Sequence, residues 1–127
     1  MLEAGIRAIV AAALRESVKR VLAVADAGVL DTARGGLRHD QPSFPEEYRA
    51  ISRQHGKTWE ALRESSLRWT LVCCPDLLAG ERTGEFRLER ERLPEKGTSI
   101  SVEDTAGFLV AQIDSVDYEQ VRVGIAY

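Results

Sequence analysis

The residues of this chain with the greatest chemical reach are few: two histidines, His39 and His55, two adjacent thiols, Cys73 and Cys74, and carboxylates at Asp26 and Asp76. A neutral imidazole both donates and accepts, so His55 is a candidate for hydrogen-bonding a substrate, set at helical spacing between Ile51 and Trp59. His39 lies in an Asp-rich segment and is expected to be solvated, with Arg38, His39 and Asp40 as candidate lid residues. A reactive thiolate needs nearby positive charge or a helix N-terminus. Val72, Pro75 and Asp76 offer neither, so Cys73 and Cys74 read as small buried hydrophobes. Adjacent cysteines on an extended chain point to opposite faces and do not bridge. With two histidines far apart and no further cysteine, no metal site is expected.

The elements that must position these groups follow from hydrophobic spacing. Leu2, Ile6, Ile9, Val10, Ala13 and Leu14 recur at helical period, with Glu3, Arg7, Arg15 and Glu16 off the stripe. Those charges interrupt any apolar core, so neither a signal peptide nor a membrane anchor is expected. Val21 to Ala25 is a short apolar run that suits a strand buried on both faces of a parallel sheet, near residues 20–25. Residues 26–45, rich in Gly, Asp and Pro, read as a long functional loop ending at Pro45, where Glu46 and Glu47 favour a helix start. Tyr48, Ile51, His55, Trp59 and Leu62 mark that helix, and a second strand near 69–73 is halted by Pro75. Residues 84–92 alternate as an exposed strand or hairpin arm. Ser101 and Asp104 form a capping-box variant, and Val102, Ala106, Leu109, Val110 and Ile113 predict the apolar face of the helix they open. A terminal strand is expected near 121–126.

Strands alternating with helices predict an α/β fold with a parallel sheet and a small β-ribbon. The 127 residues, 44% hydrophobic, describe one domain or part of one, 1–127. A net charge of −3 with interspersed signs leaves no electrostatic footprint for nucleic acid or anionic lipid. The cysteine usage fits a reduced, cytoplasmic setting.

The stretches 5–25, 44–48, 62–75, 80–87 and 99–104 together resemble the C-terminal half of atypical short-chain dehydrogenase/reductases of the NAD(P)H-binding, NmrA-like type, near the NADH-flavin reductase and biliverdin reductase B branch. The resemblance implies a doubly wound Rossmann-type sheet, an NAD(P)H cofactor and a small-molecule substrate such as a flavin or quinone-like acceptor. It places the nicotinamide side of the site at Ala25, Asp26 and Ala27 and at Cys74, Pro75 and Asp76. His55, His39 and Arg82 are the substrate-pocket candidates, His55 matching a substrate-side His of the biliverdin-reductase branch and Arg82 reaching toward an anionic ligand. No catalytic residue is assigned: Tyr48 has Ser52, not Lys, four residues on. Family members begin with a strand, a glycine-rich turn and a helix that hold the pyrophosphate. This sequence has no such turn, and relatives often carry Ser or Thr where Asp26 stands. The expectation is a partial domain, inactive alone, that self-associates or pairs with a separately encoded N-terminal half. The alternative is a non-catalytic, truncated paralogue serving as a binding or dimerisation module.

Overall fold

The computed structural model describes residues 2–127. The strands β1 (Arg20–Asp26), β2 (Arg68–Cys74) and β6 (Val121–Ala126) lie parallel in the order β1-β2-β6, and β4 (Arg87–Arg90) adds antiparallel to β6 at the far edge. The alternating segment at 84–92 therefore joins the main sheet through four residues instead of forming a ribbon of its own. A second, two-stranded parallel sheet pairs β3 (Asp76–Leu78) with β5 (Ser99–Ser101). Three helices, α1 (Leu2–Arg15), α2 (Glu46–Glu64) and α3 (Val102–Gln112), complete a Rossmann-like α/β fold.

Period-two alternation divides the core between the sheet's faces. Trp69, Leu71 and Cys73 of β2 pack with Ile6 of α1, Ala61 and Leu62 of α2, and Val29 and Leu30 of the loop after β1. Val72 and Cys74 point the other way, against Phe108 of α3, Ile100, Val123 and Ile125. β2 is buried along nearly its whole length. β1, expected to be buried on both faces, is a half-buried edge strand in which only Ala25 is buried and Val24 is 40% exposed.

The helices also depart from their apolar stripes. On α3 the expected face is largely outside: Val102, Val110 and Ile113 are exposed, while Asp104, Thr105, Phe108 and Gln112 are buried. Long-range partners set that rotation. Phe108 meets Phe86 and Tyr118 edge to face at 6.2 and 5.7 Å. Asp104 accepts from the backbone N–H groups of Thr83 and Gly84, both at 2.9 Å, from the Thr83 hydroxyl at 2.7 Å and from the Tyr127 hydroxyl at 2.5 Å. Ser101 caps the helix, its Oγ accepting from the Asp104 N–H at 3.0 Å. On α2, Ser52, Gly56, Thr58, Ala61 and Leu62 are buried and Ile51 is half-exposed; on α1, Ile6 and Ala13 are buried while Ile9 and Leu14 are outside.

Burial raises the Asp104 carboxyl, but the Tyr127 and Thr83 hydroxyls and the two backbone donors outweigh it, and the group sits well below its ordinary value of 3.8. A depressed folded-state value stabilises the fold above the unfolded value and is lost as pH falls toward the folded one. Asp104→Asn is therefore expected to lower stability at neutral pH and to flatten the loss of stability below about pH 4. Urea unfolding at a series of acid pH values measures it. An unchanged acid limb would rule the account out.

Candidate active site

The C-terminal ends of β1 and β2 open onto one cleft of about 630 Å³. The parallel register that sets Asp26 beside Cys74 brings the two strand ends together. Asp26, Ala27 and Gly28 line one side and Cys74, Pro75 and Asp76 the other; Phe44, Tyr48 and Leu93 supply apolar wall, and Arg38 and Thr98 polar rim. Carboxylates, one guanidinium and apolar surface converge at a crevice outside the carboxyl ends of parallel strands, the place where open α/β sheets take ligands.

Five of the six residues expected on the nicotinamide side thus meet in one cleft, Asp26, Ala27, Cys74, Pro75 and Asp76, and the lid candidate Arg38 joins them at the rim. Ala25 does not line it, being buried in the core beneath. His55 lies on α2 away from the lining, and Arg82 lies over α3, its guanidinium 3.1–3.4 Å from where a Cβ on Gly107 would stand. His39, expected in solvent, is 4% exposed and sits behind the cleft wall, its Nδ1 2.9 Å from Ser52 Oγ. Ser52 Oγ in turn donates to Asp26 Oδ1 at 2.9 Å. Sequence reading gave Ser52 no part in the site. Arg49 holds the loop over these groups by donating to the carbonyls of His39, Gln41 and Phe44.

Burial pushes the Cys73 thiol well up, with Cys74 beside it adding, and burial pushes Cys74 up to about 11. Neither is a thiolate at neutral pH, so the cleft has no sulfur nucleophile.

The residues present fit one half of a nicotinamide dinucleotide. Carboxylate acceptors and apolar wall suit a nicotinamide ring, its carboxamide and its ribose hydroxyls. The pyrophosphate is not matched: among the described residues no glycine-rich turn joins a strand to a helix. The α2 N-terminus follows Pro45, which has no N–H, and carries Glu46 and Glu47.

A strand-end crevice in a parallel sheet flanked by helices is where a Rossmann-like α/β fold takes its ligand. The NAD(P)H-binding family model matches residues 2–116, and the chain belongs to that family. Among solved structures, the chain is 33% identical to a Burkholderia pseudomallei protein named as a candidate exported protein, with TM-score 0.89 over 99% of this chain and 64% of that one. It is 30% identical to a candidate NADH-flavin reductase of Streptococcus pneumoniae, with TM-score 0.74 over 84% of this chain and 55% of that one. A short-chain dehydrogenase/reductase of Veillonella parvula in complex with NADP shares the fold at 21% identity and TM-score 0.68, over 98% of this chain and 58% of that one. The chain therefore spans between about half and two thirds of the length of these proteins. No curated protein matches. No helix among the described residues is long and apolar enough to cross a membrane.

Proposed function

We propose that this chain supplies the nicotinamide and substrate side of an NAD(P)H-dependent reductase site, acting on a flavin, quinone-like or similar conjugated acceptor. The observation that carries the reading is the cleft itself, which joins the ends of β1 and β2 through Asp26, Ala27, Gly28, Cys74, Pro75 and Asp76. Family membership and the likeness to a candidate NADH-flavin reductase support the class of chemistry. When bound, a reduced nicotinamide supplies a hydride. The chain's own part is to seat the ring against Leu93 and Phe44, to offer Asp26 and Asp76 to carboxamide and ribose donors, and to keep phosphates away from the reacting face. The buried free thiols fit a cytoplasmic setting.

The test uses fragments. Reduced nicotinamide riboside, titrated against the labelled chain and followed by backbone amide shifts, is expected to bind in roughly the millimolar range, as suits a ligand of that size. The moving amides should be those of 26–28, 74 and 76. Adenosine diphosphate should move none of them. A riboside that leaves the cleft amides unmoved overturns the reading.

A second reading, a module that self-associates or pairs with a separately encoded N-terminal half, is favoured by one observation. β1 is a sheet edge, and Val24 on it and Ile9 and Leu14 on α1 are at least 40% exposed. Light scattering on the purified chain is expected to give a mass above that of one 14.1 kDa protomer. A monodisperse monomer sinks this reading.

A further inference from the structure

Behind the cleft wall lies a buried polar group that the reading above leaves unused. Ser52 is 0% exposed and touches two partners through one oxygen: it donates to Asp26 Oδ1, and His39 Nδ1 lies 2.9 Å away. A hydroxyl has one proton, and the carboxylate, which is acceptor-only, must receive it. The contact to His39 is therefore made with Nδ1–H as donor. The outer nitrogen, Nε2, faces Asp40 Oδ1 at 3.7 Å, and Asp40 is shared with Arg53 Nη2 at 3.5 Å. Phe44 meets the imidazole edge to face at 6.5 Å.

Two glycines leave the space. A Cβ at Gly28 would stand 2.1 Å from Ser52 Oγ and 3.0 Å from His39 Cβ; one at Gly56 would stand 3.2 Å from His39 Cε1. A Gly inside a 19-residue helix weakens it, and here it gives the buried ring its place. Ser, His and Asp meet without forming a nucleophile–base pair toward the cleft, because Ser52 is buried and engaged on both sides. Burying a hydroxyl and an imidazole is costly unless they are paired, and both are spent on one carboxylate oxygen. That carboxylate lines the cleft, and its Oδ2 has no hydrogen-bond partner among the described residues.

We infer that Ser52 and His39 are positioning residues that aim Asp26, and that Asp26 Oδ2 reads the ligand by accepting a hydrogen bond from an N–H or O–H donor. The class of ligand is neutral or cationic and carries a carboxamide, ring N–H or hydroxyl at that point; a carboxylate or phosphate is rejected there. The inference rests on the cleft being the nicotinamide-side site.

Two measurements test it. In protein labelled with ¹⁵N at histidine, the His39 ring should show a protonated Nδ1 protected from solvent exchange, and Ser52→Ala should abolish the protection without any ligand present. Next, nicotinamide, which has an amide donor, is compared with methyl nicotinate, which has the same ring and no donor. Nicotinamide is expected to bind about tenfold tighter, the scale of one hydrogen bond to a charged group. Asp26→Ala should erase the preference, and Asp26→Asn, which turns an amide N–H toward the ligand, should erase or reverse it. Ser52→Ala and His39→Ala should lose most of it, while His39→Asn, whose side-chain N–H stands near Nδ1–H, should restore part. Preference retained in Asp26→Ala, or in folded Ser52→Ala, overturns the inference. Equal binding of both probes to the parent chain overturns it too, yet leaves the cleft reading standing. Cleft amides unmoved by either probe and by reduced nicotinamide riboside overturn both. Should Ser52→Ala not fold, the two Asp26 variants at the cleft wall decide alone.

Discussion

Gly124→Ala is expected to cost about 3 kcal/mol of stability and about 10 °C of melting temperature, the upper part of the usual range for overpacking in a chain of this size. Gly124 lies within β6, opposite Cys73 of β2 and Glu89 of β4, where the added methyl would be held in place by pairing on both sides. Its Cβ would stand 2.0 Å from the Arg92 carbonyl oxygen, 2.8 Å from that carbonyl carbon and 2.9 Å from Leu93 Cα. All three are backbone atoms, which cannot swing aside as a side-chain end would. Relief requires segment 92–98 to lift from the sheet. That segment is tied at Glu91, whose N–H donates to the Arg122 carbonyl at 2.8 Å and whose carbonyl accepts from the Asp31 N–H at 2.8 Å. It also brings Leu93, Gly97 and Thr98 to the cleft, so the variant should bind nicotinamide fragments more weakly as well. Gly5→Ala is the contrast: nothing lies within 4 Å of its Cβ on α1, and helix propensity predicts a gain of up to about 1 kcal/mol. Urea unfolding followed by tryptophan fluorescence separates the two. A Gly124→Ala chain as stable as the parent would mean that segment 92–98 does not lie on β6 as described.

The strands were legible because β2 and β6 are nearly continuous apolar runs, which is what burial on both faces requires. The start of α2 after Pro45 and the Ser101 cap were legible because both are local chemistry. The buried faces of the helices were less so. A stripe of Val102, Val110 and Ile113 reads as a core face only if packing alone rotates the helix. Here the carboxylate of Asp104 is drawn inward by Thr83, Gly84 and Tyr127, all twenty or more positions away in the chain. The β3–β5 pair escaped notice because each strand has only three residues, the first directly after Pro75, and pairing with 99–101 leaves no local mark.

The site shows the same division. The groups after β1 and β2 were found because strand ends locate a crevice in any parallel α/β sheet. His39 was misplaced because a His among Asp, Gly and Arg carries the composition of a solvated loop. Its burial is made by Gly28, Phe44, Arg49, Ser52 and Gly56, which come together only once β1 and α2 have packed. One signal was present: Gly56 interrupts an otherwise favourable helix, and an interior helical glycine marks a close approach. The sequence does not name the approaching side chain.

Arg122→Met is expected to destabilise the chain by about 3 kcal/mol and to loosen the segment at 27–37, because it breaks a buried charge network from its centre. Arg122 projects from β6 with 4% exposure; it donates from Nη1 to the Val29 carbonyl at 2.6 Å and from Nε to Glu91 Oε2 at 2.6 Å, and its Nη2 lies 3.1 Å from Asp31 Oδ1. Its guanidinium carbon sits 3.9 Å from the Trp59 ring centroid. Methionine restores much of the volume and the contact with Trp59, so the expected loss comes from the polar partners. The Val29 carbonyl, on a fully buried residue, is left without this donor, whereas Asp31 and Glu91, each 37% exposed, recover part of their hydration. For the same reason Glu91→Gln should cost only about 1 kcal/mol. Arg122→Lys should fall close to Arg122→Met, since one ammonium cannot reach a carbonyl and two carboxylates set around a planar fork. The segment that Arg122 holds carries Ala27, Gly28 and Thr32 of the cleft, so hydrogen exchange should rise across 27–37 in both Arg122 variants while β2 amides stay protected. Exchange unchanged at 27–37 would show that Val29 and Leu30, both fully buried, anchor the loop without the arginine. In that case the charge network would serve the sheet edge at Glu91 alone.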